Sequence, residues 1–120
     1  MMDMNVQDTA KAKGWDLEGT LRRFGGSQMM LERFLKKFPQ DPTFGKLEEA
    51  AEQGDLPGIE TAAHTLKGIA GNLGLTALYE GCSSLVAAVR AGETQRVPGL
   101  WETVRAEYQA AVSAVAQIEW

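Results

Sequence analysis

Between residues 97 and 118, Val97, Trp101, Val104, Tyr108, Ala111, Val115 and Ile118 recur at alternating intervals of four and three. That is the a/d rhythm of a helix that buries one stripe against other helices. A chain carrying such a stripe must supply partners for it. Leu75, Leu78, Cys82, Leu85, Val86 and Val89 form a second stripe in "LTALYEGCSSLVAAVRAG", again at helical spacing. No stretch sustains the strict apolar/polar alternation of a half-buried strand. The fold expected is therefore all-α, an antiparallel helical bundle with additional short helices at its N-terminal end.

Capping residues, glycines and prolines divide the chain. Residues 1–13 read as an N-terminal segment, a short helix at most, without a clear apolar face. Residues 14–120 read as one bundle domain. Asp16 caps a short helix over Leu17 to Phe24, which Gly25 and Gly26 end. Ser27 caps "QMMLERFLKKF", where Met30, Leu31, Phe34 and Phe38 share a face until Pro39 interrupts. Asp41 followed by Pro42 predicts an N-cap with proline at the first helical position of a segment ending at Gly54. Asp55 then caps a helix from about Leu56 to Asn72, and Gly74 supplies the left-handed turn after it. The last helix begins between Thr94 and Pro98. Such stripes close into one small core, which predicts a monomer.

Composition removes several function classes. With 120 residues there is room for one core and no second. A net charge of −4 with 12 dispersed Lys and Arg argues against nucleic acid as the partner. No apolar run approaches the roughly 20 residues that span a bilayer, and "MMDMNVQDTAKAK" has neither the basic start nor the apolar centre of a secretory signal. The expected setting is cytoplasmic and without a membrane. Cys82 and His64 are each the single residue of their type, so an internal disulfide is impossible and a zinc site improbable. Cys82, Trp101 and Tyr108 read as packing groups, Met29 and Met30 as packing or an adaptable surface, and "RRF" and "LKK" as solvated helix edges.

His64 is the candidate for chemistry, with a solvent bystander as the alternative reading. On a wheel of about 100° per residue, Ile59, Ala62, Ala63, Leu66, Ile69, Ala70 and Leu73 gather on one side. His64 falls roughly 160° from the centre of that stripe, with Thr61, Gly68 and Gly71 within about 60° of it and Lys67 also about 60° away. It faces solvent. Glycine inside an exposed helix costs about 1 kcal/mol relative to alanine, so Gly68 and Gly71 ask for a reason on a face where packing returns nothing. Removing bulk one and two turns beyond an imidazole clears a shelf on which another protein can reach the ring. A neutral imidazole has a ring nitrogen with a lone pair for attack. A nucleophile, clearance and the Lys67 cation together suit acceptance of a phosphoryl group.

The run His64-Thr65-Leu66-Lys67-Gly68, followed by Gly74, resembles the signature of histidine-containing phosphotransfer (HPt) domains. "GDLPGIETAAHTLKG", "ALYEGCSSLVAAVRAG" and "LRRFGGSQMMLERFLKKF" resemble the family's flanking helices in the same order, so the likeness spans about residues 14–118. The resemblance implies a four-helix bundle whose exposed His accepts phosphate from a receiver-domain aspartate and passes it to another receiver. It implies His64 as phosphoacceptor, Lys67 as neighbouring cation, Gly68 as the residue giving access, Leu66 as a core leucine and Gly74 as the helix-end glycine. Thr61 and Gly71 join Lys67 and Gly68 as candidate contacts to phosphate or partner. The motif has no substitution, while Pro39 and Pro42 interrupt a helix that is continuous in some relatives.

The function that follows is a phosphocarrier in a multistep two-component phosphorelay, not an enzyme with its own ATP machinery, since no P-loop or kinase-type glycine-rich run is present. Its implied partners are response-regulator receivers, with a hybrid sensor histidine kinase as a further candidate. No cofactor is expected in the chain; the divalent metal would come with the receiver. Two rivals stay open: a binding-only helical adaptor for receivers, and the N-terminal phosphoacceptor domain of a chemotaxis-type kinase, which has a similar His-x-x-Lys-Gly run. A sensor-kinase dimerisation domain fits less well, because there an acidic residue and then a proline follow the His, whereas here Thr65 follows and the next proline is Pro98.

Overall fold

In a computed structural model describing residues 5–120, every regular element is helical. The order is α1 (Val6–Lys13), α2 (Leu17–Arg23), α3 (Gln28–Lys37), a 3₁₀ turn (Phe38–Gln40), α4 (Thr43–Gln53), α5 (Leu56–Leu73), α6 (Thr76–Arg90), a second 3₁₀ turn (Thr94–Arg96) and α7 (Val97–Gln117). Helix α5 packs between α4 and α6, α7 packs on α6 and reaches α4, and α2 and α3 lie against α5. This is a four-helix bundle with short N-terminal helices, the helical bundle that the stripes predict and the four-helix form that the resemblance implies. No described helix is long and apolar enough to cross a membrane.

Local chemistry sets the boundaries. Side chains of Asn5, Asp16, Ser27 and Asp55 accept the backbone N–H of Asp8, Gly19, Met30 and Gly58, each satisfying a donor that the first helical turn leaves orphaned. Asp41 is extended, and its carboxylate accepts the Thr43 N–H at 2.8 Å, while Pro42 already has helical dihedrals. The break between α3 and α4 therefore follows from Pro39 and Pro42. The residues 1–4 part of the N-terminal segment lies outside the described residues. Within α1 the sequence reading missed a face: Val6, Thr9 and Ala10 are buried, at spacings of three and one that a short window does not resolve.

The core gathers Leu31, Leu35, Phe38, Leu47, Ile59, Leu66, Leu78, Cys82, Leu85 and Val104. The stripe of α3 needs correction. Leu35 rather than Phe34 is buried beside Leu31 and Phe38, and Phe34 instead stacks on Phe24 with centroids 5.1 Å apart. Phe44, on α4, lies flat against Tyr108 at 3.8 Å and stacks on Trp101 at 5.5 Å, which ties α4 to α7. Both α7 aromatics are half-buried. Burial pushes the Cys82 thiol up to about 12. Since the thiolate is the reactive form, iodoacetamide at pH 8 is expected to leave Cys82 unmodified in the folded protein and to alkylate it once urea unfolds the chain. Modification at equal rates in both states would contradict this packing.

Candidate functional site

Helix α5 is held at both ends. Asp55 caps its start, and at its end Gly74 adopts φ +73° and returns its N–H to Ala70 and Gly71, the left-handed closure that glycine makes without a Cβ penalty. Helix α2 completes that end. The Asp16 N–H donates to the Gly74 carbonyl at 2.8 Å and Arg23 Nε to the Asn72 carbonyl at 3.2 Å, satisfying acceptors that a helix C-terminus otherwise leaves to water. Thr20, fully buried, donates to the Asp16 carbonyl and accepts from Arg23 Nη2. An ion pair between Glu60 and Arg90, 3.0 Å long, links α5 to α6 on the surface. These restraints fix the rotation of α5 about its axis, and so the face it turns outward.

That face carries His64, Thr61, Thr65 and Gly68, all exposed, with Lys67 and Gly71 half-buried at its edge. Leu66 is 1% exposed and Ala63 fully buried, so the core stripe and the His64 face are opposite sides of one helix. A Cβ on Gly68 would meet no atom within 4 Å. The space beside the imidazole, one turn on, is open. Thr65 bonds back to the Thr61 carbonyl at 3.1 Å, which turns its hydroxyl to its own helix.

Gly71 is different. A Cβ there would lie 3.2 and 3.4 Å from Cδ2 and Cε2 of Tyr79, so this glycine seats an aromatic ring from α6. The reasoning that packing returns nothing on this face holds for Gly68 and fails for Gly71. The same ring lies under Lys67, whose Nζ is 5.6 Å from its centroid, within cation–π range. Tyr79 escaped the sequence reading because it belongs to another helix. Its only local signal is a large aromatic at a position outside the apolar stripe of α6, and it is 39% exposed.

A cleft of about 560 Å³ between α4 and α5 opens beside Thr61 and Thr65, with Lys46, Glu49, Gln53 and Asp55 among its lining residues. Among the described residues no three His, Cys, Asp or Glu side chains come together as a metal site would require. What the arrangement offers chemically is a single imidazole exposed on one helix face, with open space beside it at Gly68 and the Lys67 ammonium nearby over the Tyr79 ring.

In comparison with known families, the model described as Hpt domain matches residues 29–117. Neither a curated protein nor a solved structure matches the chain.

Proposed function

Because this chain belongs to the Hpt domain family, we propose that it is a phosphorelay carrier in which His64 takes a phosphoryl group from a receiver-domain aspartate and gives it to another receiver. One observation carries the reading: the single histidine projects from the solvent face of a helix clamped at both ends, beside a glycine whose missing side chain leaves open space. A lone-pair nitrogen of the imidazole attacks the phosphorus of the aspartyl phosphate. The N–P bond forms as the P–O bond breaks, and the aspartate leaves as a carboxylate with the bonding pair. Transfer onward is the reverse reaction on a second receiver. The divalent cation that supports this chemistry would be the receiver's, held by oxygen ligands there. Lys67, Thr61 and Gly71 belong to the surface that meets phosphate or partner.

Incubating the protein with phosphorylated receivers tests this directly. Label is expected to pass into this chain in an acid-labile, base-stable form. Tight receiver binding with no label transferred would instead make it an adaptor.

Gly68→Gln separates access from stability. Glutamine is the better helix former by up to about 1 kcal/mol, and nothing lies where its Cβ would go. The variant is expected to unfold at equal or higher urea concentration while accepting phosphate at least tenfold more slowly, because its side chain fills the approach to the ring. Parental transfer by a normally folded Gly68→Gln protein would remove the role assigned to clearance.

A further inference from the structure

Lys67 stands between two destinations. His64 lies three residues before it, about 4.5 Å along the axis, and Gly71 four residues after it, about 6 Å along the axis in the other direction. The ring of Tyr79 abuts Gly71, and the Lys67 ammonium sits over that ring. Its ammonium is thus held over a ring seated at Gly71, four residues toward the C-terminal end of α5. From residue 67 another rotamer would bring the same ammonium to a group on His64, since side chains three apart are neighbours on a helix.

We propose that Tyr79 parks the Lys67 ammonium while His64 is unphosphorylated and yields it to the phosphoryl group once that group arrives, so that ring and phosphate compete for one cation. The proposal rests on the carrier reading above. The two holds differ in strength in the required direction. A cation over a half-exposed ring is held by the ring quadrupole alone, whereas an ammonium on a phosphoryl oxygen makes a charge-assisted hydrogen bond. The ring's hold also serves the empty state. With Lys67 drawn aside, the space beside Gly68 stays clear for an incoming receiver, and the cation is withheld until there is negative charge to neutralise. Gly71 is part of the device, because a Cβ at that position would press on the edge of the ring.

The competition has a measurable cost: phosphohistidine must draw the cation off the ring, so removing the ring should favour the phosphorylated state. Cation–π attraction at an exposed site corresponds to roughly a two- to fivefold effect. The test uses NMR of the whole protein with phosphoramidate as a chemical phosphodonor. In the unphosphorylated protein the ring current should shift the Lys67 ε-methylene protons upfield. Tyr79→Leu should abolish that shift, and Tyr79→Phe should keep it. Phosphorylation of the parent should move the same signals to the position they take in Tyr79→Leu. The equilibrium constant for phosphorylation of Tyr79→Leu should be about two to five times the parent's. Tyr79→Phe should match the parent, and Tyr79→Leu should have no effect when Lys67 is already alanine. A Lys67 signal that ignores Tyr79→Leu, or that stays put in a fully phosphorylated parent, overturns the proposal. A gain in that equilibrium constant that persists without Lys67 overturns it as well. If no phosphohistidine forms while the ring-current shift is present, the carrier reading itself has failed and the competition goes with it.

Discussion

His64→Gln is expected to incorporate no phosphate from any receiver that labels the parent, while keeping the parent's helical signal and its unfolding midpoint. The two halves of that result come from one fact, the exposure of residue 64 on the outer face of α5. Substitutions of exposed side chains away from caps and networks usually change stability by no more than about 0.5 kcal/mol, and glutamine is at least as good a helix former as histidine. The amide is polar and similar in reach but has no nucleophilic lone pair on nitrogen. Loss of label with retained structure therefore reports chemistry and not folding. The rest of the face supplies the control. Thr61 and Thr65 flank His64, and phosphate esters on their hydroxyls would survive acid, whereas an N–P bond would not. Mass spectrometry under non-acidic conditions should place the group on residue 64 alone. Label persisting in His64→Gln, or an acid-stable group on either threonine, would falsify the mechanism.

Most of this site could be read from the sequence because it lies on one helix. The exposure of His64, the burial of Leu66 and the placement of Gly68 beside the ring all follow from 3.6-residue periodicity, and none needs knowledge of what packs where. The same holds for the boundaries of α5, which Asp55 and Gly74 announce; the helix runs to Leu73, one residue beyond the expected Asn72. What the sequence did not yield comes from other elements. Tyr79 reaches Gly71 from α6, and Arg23 reaches Asn72 across 49 positions. Neither contact leaves a periodic trace in the segment that makes it.

The errors in the core have a related cause. On α3, Phe34 and Leu35 are adjacent, and the face is bounded by Leu31 and Phe38 on either choice. Hydrophobicity alone favours the larger ring. The structure buries Leu35 because Phe34 has a partner outside the bundle stripe, stacking on Phe24 with the planes 7° apart. Phe44 was passed over because its segment, "TFGKLEEAAEQG", is mostly polar, yet it joins the aromatic stack that closes α4 on α7. Short helices carry too few residues for a stripe to show: α1 is seated by Val6, Thr9 and Ala10, and α2 by its cap and by long-range hydrogen bonds from Asp16 and Arg23, so their roles emerge only in three dimensions.

Gly74→Ala is expected to be the most destabilising single methyl group that can be added to this protein's glycines at helix ends, costing about 2–4 kcal/mol by the sum of three effects. The first is conformational: φ is +73° here, and an L-residue pays about 1–2 kcal/mol to enter the left-handed region. The second is steric. A Cβ at this position would collide with the carbonyl oxygen of Asp16 and with Oγ1 of Thr20. The carbonyl is backbone, and Thr20 is fully buried and bonded on both sides, so relief requires α2 to move away. Movement of α2 brings in the third, because it strains the 2.8 Å bond from the Asp16 N–H to the Gly74 carbonyl, a bond of about 0.5–1.5 kcal/mol. Gly54 isolates the first effect. It caps α4 with φ +64°, and a Cβ there would meet nothing within 4 Å. Gly54→Ala should therefore lose only that conformational part, about 1–2 kcal/mol, and Gly74→Ala about twice as much, with a thermal midpoint lower by roughly 10 °C. Urea unfolding of the two variants beside the parent decides the matter. Equal losses would mean that α2 does not press on the end of α5 as described, and that the helix bearing His64 is oriented by its bundle contacts alone.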